Sequence, residues 1–230
     1  MPLTYMGIST WIENNRGEEL PQYAVKPCGR RSMQCVSRCW IPVSERSQFK
    51  IMWKVLNAPG TDLDLLVFPF FDGIPLCACS WTKDQVDARE VGELGHHPTG
   101  RSSIRQYEFG HREVTDTEDF QTGRPRAVIT ELNTIKIRFA WGYQKNVDCA
   151  GLFSNPTEVA PIHETEIKAM RGLSGSACLS QDEINTRYKY SSCEFLPEAG
   201  VKSTTFIFRY APLGKLIILR SGTHPTMGLI

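Results

Sequence analysis

The sequence predicts an all-β fold: a single antiparallel β-sandwich, jelly-roll-like in its connections, with one or two short helices between Thr157 and Arg187. Three observations predict it. Several segments alternate apolar and polar residues with period two, the pattern of a half-buried strand. Turn-forming residues punctuate these segments, while helical patterns are short and few. Each alternating segment has one apolar and one charged side, which suits two sheets packed face to face.

The first strand runs through Ile8-Ser9-Thr10-Trp11-Ile12-Glu13. Asn14-Asn15-Arg16-Gly17 ends it, and Leu20 to Val25 is the expected hairpin partner. The clearest strand is Gln48 to Val55, where Phe49, Ile51, Trp53 and Val55 share one side and Gln48, Lys50, Met52 and Lys54 the other. Asp72-Gly73 between two apolar runs is a tight hairpin signal. Pro69 and Pro75 flank that turn, so one of its strands is expected at an edge. A further strand spans Thr134 to Trp141, with Ile135, Ile137, Phe139 and Trp141 on one side. The last, Thr205 to Tyr210, sets Phe206, Phe208 and Tyr210 on one face. Trp11 and this aromatic face are expected to be the two ends of one core, with Trp40, Trp53, Trp81 and Trp141 as its bulk.

Two stretches read differently. Residues 82–103 carry Gly92, Gly95, Pro98 and Gly100 and read as a long exposed loop. Residues 146–200 read as an irregular or helical insertion: Ile162, Ile167 and Met170 among charges suggest a short helix, and Ser180-Gln181-Asp182-Glu183 has the form of a capping box.

The 230 residues suffice for one domain spanning 1–230. Hydrophobic residues make up 41% and charged ones 22%, enough to bury a core and to argue against general disorder. With 26 basic and 25 acidic residues the net charge is +1, which argues against nucleic-acid binding by bulk electrostatics. The amino terminus lacks a basic stretch followed by an apolar one, and no apolar run reaches the roughly 20 residues of a membrane span. The expectation is an intracellular protein, cytoplasmic or nuclear, without a membrane partner. The eight cysteines are then expected as mostly reduced thiols, and no Cys-x-x-Cys pair suggests zinc.

A set of motifs spread along the chain is similar to an uncharacterised fungal family, abundant in mushrooms and known as a domain of unknown function. They are Gly7-Ile8-Ser9-Thr10-Trp11-Ile12-Glu13, Leu20-Pro21-Gln22-Tyr23, Cys39-Trp40-Ile41-Pro42, Phe49-Lys50-Ile51-Met52-Trp53 and Phe71-Asp72-Gly73. Glu113 to Asp119, Asn133-Thr134-Ile135-Lys136-Ile137 and Thr205-Phe206-Ile207-Phe208-Arg209-Tyr210 follow in order. The resemblance implies a fungal, single-domain, β-rich protein and brings no activity with it.

Candidate chemistry is sparse. His96, His97 and His111 are the imidazoles nearest one another in sequence, but adjacent strand residues face opposite sides, so exposed loop histidines are the favoured reading. Cys77 and Cys79 would share a strand face about 6.6–7 Å apart, at the limit for a disulfide, and read as small packed side chains. Arg171-Gly172-Leu173-Ser174-Gly175-Ser176 lacks the serine-centred elbow and the P-loop lysine, and reads as a connector. Asp116, Glu118 and Asp119 lack the calcium-loop spacing. Arg30, Arg31, Arg38, Lys136, Arg138 and Lys145 form either a single-strand nucleic-acid face or the wet side of a sheet, the second being favoured.

No nucleophile, base and orienting acid assemble from these motifs. The expected function is therefore a non-catalytic binding or protein-interaction module. Its partner would be an unknown protein or small molecule, with homo-oligomer formation through a sheet edge as a further option. No cofactor and no metal are expected. The alternative is an enzyme of isomerase, cyclase or lyase type acting on a small apolar metabolite inside the sandwich, with His111, Glu113 and Asp116 as acid and base.

Overall fold

The computed structural model describes residues 1–26, 36–60, 62–116, 130–146, 155–156, 161–165, 173–187 and 193–216. In chain order the strands are β1 (Leu3–Tyr5), β2 (Ile8–Asn14), β3 (Tyr23–Lys26), β4 (Val36–Pro42), β5 (Ser47–Val55), β6 (Asp64–Phe71), β7 (Ile74–Pro75) and β8 (Cys79–Trp81). Helix α1 (Lys83–Asp87) precedes β9 (Val91–Leu94), β10 (His96–Pro98), β11 (Ser103–His111), β12 (Val114–Thr115) and β13 (Thr134–Asn146). The chain continues with β14 (Ile162–His163), β15 (Gly175–Asn185), β16 (Cys193–Pro197) and β17 (Thr204–Ala211).

Two large sheets form the expected sandwich. The first has seven strands along the path β1-β2-β5-β11-β10, with β9 joined to β5 and β15 to β11. The second has eight along β3-β4-β17-β13-β6-β7, with β16 joined to β13 and β8 to β6. The pairing is antiparallel except that β17 runs parallel to β4, and the small β12–β14 pair is parallel too. A parallel neighbour requires a long crossover, and the span between β4 and β17 supplies it.

The period-two pattern predicts the core correctly. Phe49, Ile51, Trp53 and Val55 of β5 are buried, as are Ile135, Ile137, Phe139 and Trp141 of β13 and Phe206, Phe208 and Tyr210 of β17. Their rings interlock across the sheets. Phe49 lies 5.4 Å from Phe71, Trp53 lies 5.4 Å from Trp81, and Phe109 lies 5.4 Å from Tyr210, measured between centroids. These tilted and edge-on contacts favour the ring quadrupoles as well as burying area.

Trp11 and Trp40 depart from expectation. On β2 it is Ile8, Thr10 and Ile12 that point inward, and Trp11 turns outward, where its Nε1 donates to Glu13 at 2.6 Å. Trp40 sits on the outer face beneath the Arg209 guanidinium, 5.7 Å from the ring centroid. An amphipathic indole is tolerated there because a cation and a carboxylate complete its surroundings.

The expected hairpin after β2 is half present. Leu20 N donates to Ile12 O at 2.8 Å, but the chain then crosses, and β3 pairs with β4 in the other sheet.

The stretch 82–103, expected as a loop, holds α1, β9 and β10 and buries Val86, Leu94 and His97. Its helix starts at Thr82-x-x-Gln85, where Thr82 N donates to the Gln85 side chain at 3.1 Å. Gly92 lies on β9 and Gly95 links β9 to β10, both in close-packed chain rather than open turns: a Cβ on Gly92 would stand 2.1 Å from the Trp53 ring and one on Gly95 2.8 Å from Lys50 Cγ.

The stretch 146–200 contains β14, β15 and β16, and Ser180 to Glu183 is strand, not helix. Ser180 serves a β-bulge there. Its Oγ accepts Gln106 N at 3.0 Å, and its carbonyl accepts Arg105 Nε at 2.5 Å. A hydroxyl that satisfies a displaced ladder bond looks in sequence like one that caps a helix. Most of the helix expected over 157–171 lies outside the described residues.

Candidate functional site

The Asp72-Gly73 turn between β6 and β7 builds the center of the site. Both residues have left-handed backbones, φ 52° and 86°, as a type I′ turn demands. Phe71 pairs with Ile74 across it. The turn is anchored from below, because Asp72 N donates to Thr134 O at 2.9 Å. This fixes the Asp72 side chain toward the interior rather than toward water.

Four donors converge on that carboxylate. Arg112 Nη2 reaches Oδ2 at 2.5 Å, and both side chains are essentially sealed from solvent. Thr134 N donates to Oδ1 at 3.1 Å, and Ser176 Oγ donates to Oδ2 at 3.2 Å. The Tyr210 hydroxyl lies 2.8 and 2.9 Å from the two oxygens. Ala177 N donates to that hydroxyl at 2.6 Å, so the phenolic hydrogen is left for Asp72. Burial pushes the Asp72 carboxyl up, and Arg112, Tyr210, Thr134 and Ser176 pull it back. Burial, reinforced by the Asp72 charge, holds the Tyr210 phenol well above its ordinary range.

Five separate segments meet here: the β6–β7 turn, the residue after β11, the start of β13, the start of β15 and the end of β17. The network therefore ties both sheets together. Tyr210→Phe is expected to cost about 1–3 kcal/mol, because Ala177 N–H loses its acceptor and Asp72 one donor. Urea denaturation of the two proteins measures it, and a loss well below that range would show that water replaces the hydroxyl.

Arg112 has more donors than partners. Its Nε and Nη1 are buried and make no hydrogen bond among the described residues. Buried guanidinium nitrogens without acceptors are costly and call for explanation. Arg112 also forms part of the wall of a cleft of about 890 Å3. The cleft runs along β11 and β15, and its lining includes Glu108, Gly110, Cys178 and Ser180 together with Phe71, Ile74 and Leu76. The Cys178 thiol is pushed up to about 11, first by burial and then by Glu108, which favours its protonated form.

His111 and Glu113 both border this cleft. His111 is exposed, with Nδ1 3.3 Å from Glu45 in the loop between β4 and β5. Glu113 and Asp116 are exposed as well, and Glu113 contributes its carbonyl to Ile162 N at 2.9 Å. Glu118 and Asp119 lie outside the described residues.

The other candidates separate. His97 is buried rather than in an exposed loop, and its Nδ1 accepts Cys77 N at 3.2 Å. His96, its neighbour on β10, is less buried, and burial lowers its pKa. Cys77 precedes β8 and Cys79 begins it; neither is in a disulfide, nor are Cys39 and Cys178. The Cys39 thiol, deep in the core, is pushed up to about 12 by burial. Among the described residues no three His, Cys, Asp or Glu side chains gather as metal ligands. Gly175 and Ser176, expected in a connector, open β15, and Ser176 joins the Asp72 network.

Sequence reasoning missed Asp72, Arg112 and Ser176 as site residues. For Asp72 a signal existed, since an Asp-Gly turn directly before a buried strand can aim its carboxylate inward. Tyr210 also carried one, because a phenol on a core face needs a partner. Arg112 carried none. Among the described residues no helix is long and apolar enough to cross a membrane. The chain matches no protein-family model, no curated protein and no solved structure.

Proposed function

We propose that the protein is a non-catalytic binding module for a small molecule held in the β11–β15 cleft. One observation carries the reading: a cleft of about 890 Å3 has in its wall a buried arginine with two unpartnered nitrogens. The volume falls within the roughly 300–1,000 Å3 of small-molecule sites. The lining combines apolar and polar side chains, which suits a ligand with a hydrocarbon body and an acceptor group such as a carboxylate or carbonyl. The acceptor would approach Arg112. The sealed Asp72 network would hold that guanidinium in place, as a supporting shell should.

A second reading has one observation in its favour. His111 and Glu113 border the same cleft, so an acid–base enzyme of isomerase, cyclase or lyase type would find its groups there. Its substrate would lie in the cleft, because the interior between the sheets is filled by Phe49, Trp53, Tyr107 and Phe139.

The test is a thermal-shift and ligand-observed NMR screen of a chemically diverse metabolite set. It compares wild type with Glu108→Trp, which fills the cleft from the outer face of β11. Compounds are expected to stabilise wild type and not the variant. No compound binding wild type, or equal binding to both proteins, would overturn the cleft as the site. New product resonances that vanish in His111→Ala would favour the enzyme.

A further inference from the structure

We propose that the outer face of the eight-stranded sheet carries a separate anion site, built to take a phosphate group between Arg38, Arg209 and Lys26 beside Trp40. Strand register assembles it. The parallel β4–β17 pair sets Arg209 beside Trp40 and Ile207 beside Arg38. The β3–β4 pair sets Lys26 opposite Arg38. A register shift between Tyr23 and Lys26, with Ala24 at φ 47°, opens a hollow between the strands. The hollow holds about 170 Å3 and is lined by Ala24, Lys26, Arg38, Cys39, Trp40 and Arg209. At well under the roughly 300 Å3 of an ordinary small-molecule site, it suits one oxyanion rather than a whole metabolite.

Among the described residues that line this hollow, Lys26, Arg38 and Arg209 are cationic and none is acidic. Arg209 Nε is buried and makes no hydrogen bond. Burial and the Arg38 charge both push the Arg209 guanidinium down, opposed by Glu131. The Glu131 carboxylate is engaged elsewhere, by Lys136 Nζ at 2.7 Å. Arg209 is also pinned over the Trp40 ring, so its planar fork is presented rather than free to swing away. The exposed Arg38 and the half-buried Arg209 both line the hollow, and a tetrahedral oxyanion offers acceptors to both. Arg138 on β13 adds a further cation to the same face.

The source of the phosphate is either a small anion or a nucleic-acid backbone, and two measurements separate them. The first follows thermal stability of the full chain with inorganic phosphate and pyrophosphate, against sodium chloride at matched ionic strength. The second follows anisotropy of a fluorescein-labelled thymidine oligonucleotide over a salt series. Each is repeated with Arg209→Gln, Arg38→Gln and Lys26→Gln, with folding checked by circular dichroism. Lys26 is exposed, so its variant keeps the test valid if an arginine variant fails to fold. A saturable response to phosphate or pyrophosphate, weakened about tenfold or more in the arginine variants, is expected. An oligonucleotide response with the same dependence would assign the phosphate to nucleic acid, and its absence beside a phosphate response to a small anion. No saturable response to any probe, or equal affinity in all folded variants, would overturn the site. None of these residues borders the β11–β15 cleft, so this outcome is independent of the one tested there.

Discussion

Asp72→Asn is expected to remove about 3–5 kcal/mol of folding stability, the cost of leaving one member of a buried ion pair without its partner. The substitution is chosen because Asn-Gly suits a type I′ turn as well as Asp-Gly, so the turn itself is spared. What changes is the charge. Arg112 would keep its buried positive charge, and an amide would replace a carboxylate that now meets donors from Arg112, Thr134, Ser176 and Tyr210. An amide oxygen satisfies at most two of them, and its NH2 group faces donors where it needs acceptors. Chemical denaturation measures the loss. The double variant Asp72→Asn/Arg112→Met is expected to be less damaged than the sum of its parts, since it removes the orphaned charge. Additive losses, or a single-variant cost under about 1 kcal/mol, would show that the pair is not coupled as the geometry indicates.

The contrast between core and site shows what a sequence can reveal. Phe49, Ile51, Trp53 and Val55 were legible because burial repeats with the strand period, and every second residue repeats the message. The Asp72-Gly73 hairpin was legible because only a few dipeptides tolerate two left-handed residues. The Asp72–Arg112–Ser176–Tyr210 network was not, because its other members lie 40, 104 and 138 residues from Asp72 and meet it only once both sheets have closed. Trp11 was misplaced for a related reason. Its strand alternates, but Ile8, Thr10 and Ile12 offer a competing inward face, and size alone does not decide between them. The loop expected over 82–103 failed on glycine. Gly92 resembles a turn residue until the ring that occupies its missing side chain is known.

That ring carries the second large effect. Trp53 is fully buried, and its indole lies against Gly92 directly across the β5–β9 ladder. Trp53→Ala is expected to cost about 3–5 kcal/mol, from lost burial plus a cavity that Trp81 and Phe139 cannot both collapse into. The reverse change tests the same contact from the other strand. A Cβ on Gly92 would stand 2.1 Å from Trp53 Cε2 and 2.4 Å from Cζ2, so Gly92→Ala must displace the indole or part β9 from β5. Overpacking of this kind costs about 1–3 kcal/mol. The two sites are in contact and should couple. In a Trp53→Phe background, which removes the overlapping atoms, the added methyl of Gly92→Ala is expected to cost less, by about 0.5–3 kcal/mol. Equal penalties in both backgrounds would mean that the glycine is required for its backbone alone. A reduced penalty would show that Gly92 is there to make room for Trp53, and so that β9 belongs to the folded core.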